Sequence, residues 1–212
     1  MGVLHLGGVK GCLLGACITA TTVNATNFMD GINGISGLTA GLWGLSTIPI
    51  GVATGDGGLV GLGAAAAGSA FGFLPYNAPE AHLFLGDVGS YLFGGMFAGG
   101  ILLTIANGGP IVRVVAPLSV YLFDVAATLA RRAVHGAPLT EAHREHAYQR
   151  MVSARGWTHL QASSAAIAAA AATSLLSTMT GRYPRITGIA MALPVIAYYL
   201  AAEPSQTRER SR

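Results

Sequence analysis

Polar residues interrupt this chain in three blocks: residues 24–37 (NATNFMDGINGISG), 77–90 (NAPEAHLFLGDVGS) and 131–155 (RRAVHGAPLTEAHREHAYQRMVSAR). Between each block and the next lie two apolar stretches. Each is long enough to cross a bilayer, which takes about 20 residues as a helix. The pattern predicts seven spans, at 9–27, 34–54, 57–75, 89–107, 111–131, 158–179 and 185–201. An even number of crossings returns the chain to the same side, so all three blocks are expected at one membrane face. Turn residues at 56–58 (DGG), 107–110 (NGGP) and 180–184 (TGRYP) close the other end. The third stretch is rich in Ala and Gly and only weakly hydrophobic, so it is expected to face other helices.

Composition agrees with a membrane protein. The 212 residues are 52% hydrophobic and 10% charged, with a mean hydropathy of +0.54, whereas a soluble domain carries about 25% charged residues. The expected fold is all-α, a polytopic helical bundle with one transmembrane domain over 1–201 and a basic cytoplasmic tail over 202–212. Small residues let helices approach closely in lipid, and Gly37/Gly41, Gly68/Gly72 and Gly95/Gly99 are spaced for such contacts. Cys12 and Cys17 match no metal or disulfide spacing and are expected to be buried. A net charge of +3 gives no reason to expect a nucleic-acid partner.

Basic residues set the orientation. Arg131, Arg132, Arg144, Arg150, Arg155, Arg208, Arg210 and Arg212 fall on the side of the blocks, against Lys10, Arg113, Arg182 and Arg185 opposite. The blocks are therefore expected in the cytoplasm and the N-terminus outside. A secretory leader ending near 23–25 (VNA) would be cut within the first polar block, so the stretch is read as retained.

In the first block Asn24, Asn27, Asp30 and Asn33 recur every three residues, which on a helix lines them along one face. Polar groups at such a depth are kept when they line a cavity or a substrate path. In the second block Asp87 stands among Gly86, Gly89 and Ser90 at a helix start. It reads either as a helix cap or as a ligand to a divalent ion on a diphosphate, since Mg²⁺ favours one or two carboxylates plus phosphate oxygens. In the third block His143, His146 and Arg150 fall at i, i+3 and i+7 of one helical face. Arg forks suit phosphate oxygens, although a basic loop on anionic lipid has the same composition. Asp124, inside the fifth span, is placed to pair with an Arg or to line the cavity.

NATNFMDGINGISG together with FLPYNAPEAHLFLGDVGS resembles the polyprenyl-phosphate hexose-1-phosphate transferases. That superfamily includes the undecaprenyl-phosphate N-acetylglucosamine-1-phosphate transferases and phospho-N-acetylmuramoyl-pentapeptide transferase. HREHAYQR is similar to the branch that primes surface polysaccharides. The resemblance implies a multi-pass enzyme of the bacterial plasma membrane with a cytoplasmic active site. It implies transfer of a HexNAc 1-phosphate from a UDP-sugar to undecaprenyl phosphate, with release of UMP and dependence on Mg²⁺ or Mn²⁺. UDP-HexNAc, undecaprenyl phosphate and the bilayer are the implied partners, and a homodimer is left open. Asp87 and Asn27 are the implied metal ligands. Asp30 would orient the substrate or the metal's water shell, and Asn33 would sit near the uracil. His143, Arg144 and His146 would hold the sugar diphosphate.

The chain departs from the family in having no adjacent acidic pair, where members carry a cytoplasmic Asp-Asp motif before the first block. Members also have ten or eleven spans. A start codon placed too late, a split gene or a decayed copy would each explain this, and the first is favoured. The main rival reading is a shortened, non-catalytic relative that binds UDP-sugar or lipid phosphate, or assembles with a partner. A transporter is disfavoured, because its polar groups belong near the midplane.

Overall fold

The computed structural model describes residues 8–138 and 144–203. Its helices are α1 (Gly8–Met29), α2 (Ile35–Thr54), α3 (Gly57–Asn77), α4 (Gly86–Ala106), α5 (Ile111–Val115), α6 (Ser119–Val134), α7 (Ala147–Arg155), α8 (His159–Ser177) and α9 (Pro184–Ala201). A 3₁₀ turn at Ala116–Leu118 joins α5 to α6. There are no strands among the described residues, and the fold is an all-helical, multi-pass membrane bundle. Among the described residues six helical segments are long and apolar enough to cross a bilayer: α2, α3, α4, the continuous Ile111–Val134 segment, α8 and α9. The first expected span is also a helix, α1, which lies along α4; it is not among the six.

Local chemistry explains the ends of these elements. Gly34 (φ 83°) and Gly55 (φ 71°) take left-handed conformations on either side of α2, which cost glycine little. Asp56 caps α3 by accepting the Leu59 N–H at 2.9 Å. Its other oxygen accepts from Asn107 Nδ2 at 2.8 Å, tying the end of α4 to the start of α3. Thr158 and Gln161 form a reciprocal capping box at the start of α8.

Two apolar clusters fill the bundle. One centres on Trp43, Leu59, Phe93, Phe97, Val114 and Leu118. Trp43 packs on Phe97 with centroids 5.0 Å apart and donates its indole N–H to Val114 O at 3.1 Å. The other cluster joins Met29, Ile35, Tyr121, Tyr148, Met151 and Ala162, beneath the polar end.

Three expectations about packing need correction. Of the expected glycine pairs, Gly37 and Gly41 do face α3, at Leu74 and Phe71, whereas a Cβ on Gly68, Gly72 or Gly95 would meet open space; α2 and α3 also approach backbone to backbone at Gly44 and Gly63. There a Cβ on Gly44 would collide with Gly63 O and lie 2.7 Å from Ala67 N. Spacing alone could not distinguish these glycines, because which face of α3 meets α2 depends on rotation about the helix axis. The third span is not weakly hydrophobic, since its spanning window is more hydropathic than those of α2, α8 and α9; α3 packs tightly on α2, yet only 28% of that window is buried. Cys12 and Cys17 are exposed rather than buried, because α1 is covered on one side only.

A bulky residue at the crossing should separate α2 from α3, whereas the same change on the open face should not. Gly44→Leu is expected to lower the detergent-phase melting temperature sharply, and Gly68→Leu to leave it nearly unchanged, in a fluorescence-based melt of the two variants side by side. Equal melting temperatures would contradict the assigned crossing.

Candidate active site

All three polar blocks meet at one end of the bundle, as the parity of crossings predicts. Asn33 Nδ2 donates to Pro79 O at 3.1 Å, and Gly34 N–H donates to Asn77 Oδ1 at 2.7 Å, so the first block is tied to the second. Asn77 continues the link by donating to Leu83 O at 2.9 Å. Tyr148, from the third block, donates to Phe28 O at the end of α1 at 3.0 Å. Between the first two blocks lies a cavity of about 420 Å³, lined among others by Asn27, Asp30, Asn33, Asn77, Asp87 and His159.

The expected helical register of the first block holds only in part. Asn24 and Asn27 lie on α1, but that helix ends at Met29, and Asp30 and Asn33 sit on the turn into α2. Asn24 folds back onto Ala20 O at 2.7 Å and is not among the cavity residues. At the break the Tyr148 hydroxyl takes up Phe28 O, and Gly31 leaves room for it, since a Cβ there would collide with that hydroxyl and lie 3.0 Å from Cζ of the ring. Breaking the helix turns Asp30 and Asn33 into the cavity, alongside Asn27 and Asp87.

Asp87 is not a helix cap. It lies in the first turn of α4, and its Oδ1 accepts from Asn27 Nδ2 at 3.0 Å. The same Asn27 nitrogen donates to Ser90 Oγ at 3.0 Å. Ser90 uses its own proton on Asp87 O at 3.1 Å, so its oxygen can only accept from Asn27. This network turns the nitrogen of Asn27, not its oxygen, toward Asp87. Asn27 therefore orients Asp87 through its nitrogen, while its Oδ1 keeps its lone pairs.

Asp30 and Asp87 share the cavity. Burial pushes the Asp30 carboxyl above its ordinary range; a hydrogen bond with Ser36 pulls it back, and the charge of Asp87 raises it further. Two carboxylates that repel each other across a polar cavity suit a cation. Among the described residues no group of three or more His, Cys, Asp or Glu side chains could cage a metal by itself. The pair instead fits the partial protein coordination of Mg²⁺, which leaves positions for water and phosphate oxygens.

The third block is built differently from its expected helical face. α7 starts after His146, whose N–H donates to Gln149 Oε1 at 3.1 Å. His146 is 2% exposed, 3.4 Å from Asp124 Oδ1, and stacked on Tyr148 with ring centroids 5.8 Å apart. It does not line the cavity. Asp124 pairs with no Arg; both its oxygens accept the Ala147 N–H, at 3.0 and 2.9 Å, and Thr128 Oγ1 donates to Oδ1 at 3.1 Å. Arg144 is exposed, and His143 lies outside the described residues. Burial first, and then the charge of Asp124, push the Tyr148 hydroxyl well above its ordinary range. It stays a neutral donor to Phe28 O.

Three cavity residues escaped the sequence reading. Asn77 is buried and joins two blocks, Phe84 leaves its ring 74% exposed, and His159 opens α8. His159 stands in no motif and gave no signal. Asn77 and Phe84 stood inside a recognised block but were not separated from their neighbours.

The raised Asp30 pKa has a stability consequence with a definite sign. The folded state binds this proton more tightly than the unfolded chain, whose value is near 3.8. Ionised Asp30 thus destabilises the fold above its folded pKa, and the penalty fades as pH falls through that value. In metal-free buffer Asp30→Asn is expected to raise the melting temperature at neutral pH, with the gain shrinking toward the unfolded pKa. A gain that does not vary with pH would contradict this origin.

Residues 1–105 match the family model described as glycosyl transferase family 4. The chain is 36% identical over 102 residues to a phospho-N-acetylmuramoyl-pentapeptide-transferase of Symbiobacterium thermophilum, covering 48% of this chain and 30% of that protein. It is 33% identical over 137 residues to a probable undecaprenyl-phosphate N-acetylglucosaminyl 1-phosphate transferase of Bacillus subtilis, covering 62% and 38%. It is 29% identical over 185 residues to a decaprenyl-phosphate N-acetylglucosaminephosphotransferase of Mycolicibacterium smegmatis, covering 76% and 45%. The chain spans less than half the length of these relatives. The family match spans the two blocks that build the cavity, and these findings support glycosyl transferase family 4, within the polyprenyl-phosphate sugar-1-phosphate transferase superfamily, as what the chain resembles.

Proposed function

We propose that this cavity binds a UDP-HexNAc and that the protein transfers its sugar 1-phosphate to undecaprenyl, or another polyprenyl, phosphate. UMP would be released, and the product would initiate a cell-wall or surface polysaccharide. The observation that carries this reading is the Asn27–Asp87 contact across 60 residues of sequence, with Asp30 in the same cavity. It sets a paired-carboxylate site at the membrane boundary, where a soluble nucleotide and a lipid phosphate can both arrive. Relatives named for transfer to undecaprenyl and decaprenyl phosphate support the acceptor class.

The acceptor phosphate has a second pKa near 6 and is mostly dianionic at neutral pH. It can attack without a general base. In-line attack on the β-phosphorus forms the new P–O bond and breaks the bond to UMP, so positioning and charge neutralisation carry most of the catalysis. A bound Mg²⁺ or Mn²⁺ would neutralise the diphosphate oxygens. Asp87 would hold that ion, with Asn27 fixing its carboxylate. Asp30 would orient substrate or metal-bound water, and Asn33 would lie at the uracil end. The exposed ring of Phe84 offers a face for the base. Arg144, exposed at the same end, would approach the diphosphate from its loop. The distribution of Arg and Lys supports a cytoplasmic position for this end, in a bacterial plasma membrane.

Binding without turnover is the alternative, favoured by the lack of an adjacent acidic pair in the chain. Purified protein is expected to release UMP from a UDP-HexNAc only with Mg²⁺ or Mn²⁺ and undecaprenyl phosphate both present. Asp87→Asn should abolish release while membrane expression is unchanged. Normal turnover in that variant would remove the metal assignment, and nucleotide binding without any release in the wild type would select the alternative.

A further inference from the structure

Both backbone groups of Asn33 are held by α8. His159 Nδ1 accepts the Asn33 N–H at 3.3 Å, and Ser163 Oγ donates to Asn33 O at 2.8 Å. The two side chains lie one helical turn apart on a single face. His159 is half-buried and lines the cavity beside Asn33.

This grip selects a tautomer. A backbone N–H can only donate, so Nδ1 must present its lone pair, and the proton of the neutral ring then sits on Nε2. Asn33 is constrained in a complementary way. Its amide nitrogen donates to Pro79 O, which leaves Oδ1 as an acceptor. The neighbouring side chains thus offer one donor and one acceptor.

We infer that His159 and Asn33 read the imide edge of a uracil base. Nε2–H of His159 donates to a ring carbonyl oxygen, and Oδ1 of Asn33 accepts from N3–H. Cytosine carries a bare N3 and an amino group in place of one carbonyl, so at least one contact would become acceptor against acceptor or donor against donor. His159 is on this account a specificity-determining residue for the nucleobase. The inference rests on reading the cavity as a UDP-sugar site.

Calorimetric titration of the full chain in detergent with UMP and with CMP tests it. Wild type is expected to favour UMP, and His159→Ala to weaken UMP about tenfold with CMP little changed. His159→Asn retains an oxygen for the Asn33 N–H but is too short to reach the base. It should keep the wild-type melting temperature and lose the preference. His159→Gln, whose amide nitrogen extends toward the position of Nε2, should recover much of it. Equal losses for UMP and CMP would mean that His159 serves the phosphate or only the fold, and a wild-type preference in His159→Asn would exclude the base contact; either overturns the inference. Wild type that binds neither UMP nor UDP-GlcNAc overturns the nucleotide site itself. Wild type that binds UMP, with an unchanged preference in His159→Ala, overturns the His159 assignment alone.

Discussion

The Asp124 carboxylate has no access to solvent, and the polar end of the bundle is organised around it. It sits on a membrane-spanning helix and receives the Ala147 N–H at both oxygens, with Thr128 and His146 completing its surroundings. A buried carboxylate is tolerable only when such partners replace water. Ala147 and His146 belong to the start of α7, so satisfying the charge also docks that helix. The consequence runs onward through one residue, because Tyr148 follows Ala147 directly. Its hydroxyl reaches Phe28 O, and its ring fills the space that a side chain at Gly31 would need. The termination of α1, and with it the placement of Asp30 and Asn33, therefore depends on a hydrogen-bonded charge in the next layer of the bundle.

A similar economy holds on the opposite wall. Asn77 spends its oxygen on Gly34 and its nitrogen on Leu83, so one buried amide fixes the turn into α2 and the loop before α4. α8 holds Asn33 from the third side. Three independent restraints thus converge on the five residues between α1 and α2. The transfer proposed for this site would need such stiffness, because misplacing a reacting group by about 1 Å can cost two orders of magnitude in rate.

Much of this was legible in the sequence. Long apolar stretches, turn residues between them and the parity of crossings were sufficient to predict a helical membrane bundle with its polar blocks at one end. The blocks also carried the family resemblance. What the sequence could not convey was direction. The three-residue period of Asn24, Asn27, Asp30 and Asn33 reads as a helix, and only the fit of Tyr148 beside Gly31 shows where the helix stops. His146 has the composition of a phosphate ligand, but its orientation is set by Asp124, 22 residues earlier. His159 is a lone histidine at a helix start, and its place depends on α8 packing against α2. Gly37 and Gly41 do meet α3, but Gly68/Gly72 and Gly95 face open space for the same reason, since spacing gives a face but not the neighbour of that face.

The third block shows why basic composition is a poor guide to a phosphate site. Arg131 holds Tyr199 Oη and Glu145 O, and Arg132 pairs with Glu145 Oε1 at 2.5 Å and also bonds Pro138 O. Arg150 holds Glu145 O and Glu203 and lies over the Tyr199 ring, while Arg155 bonds Ala201 O. Each of these guanidinium groups is engaged in closing the ends of α6, α7 and α9 that lie at the polar end of the bundle. Freeing one for a ligand would leave a carbonyl or carboxylate without its donor, at the cost of a charged hydrogen bond. If a sugar nucleotide binds as proposed, its charge would be met by Arg144, by groups at the cavity's own walls and by what binds between Asp30 and Asp87. That requirement is what makes a carboxylate pair, unfavourable for an anion when empty, a sensible thing for this fold to keep.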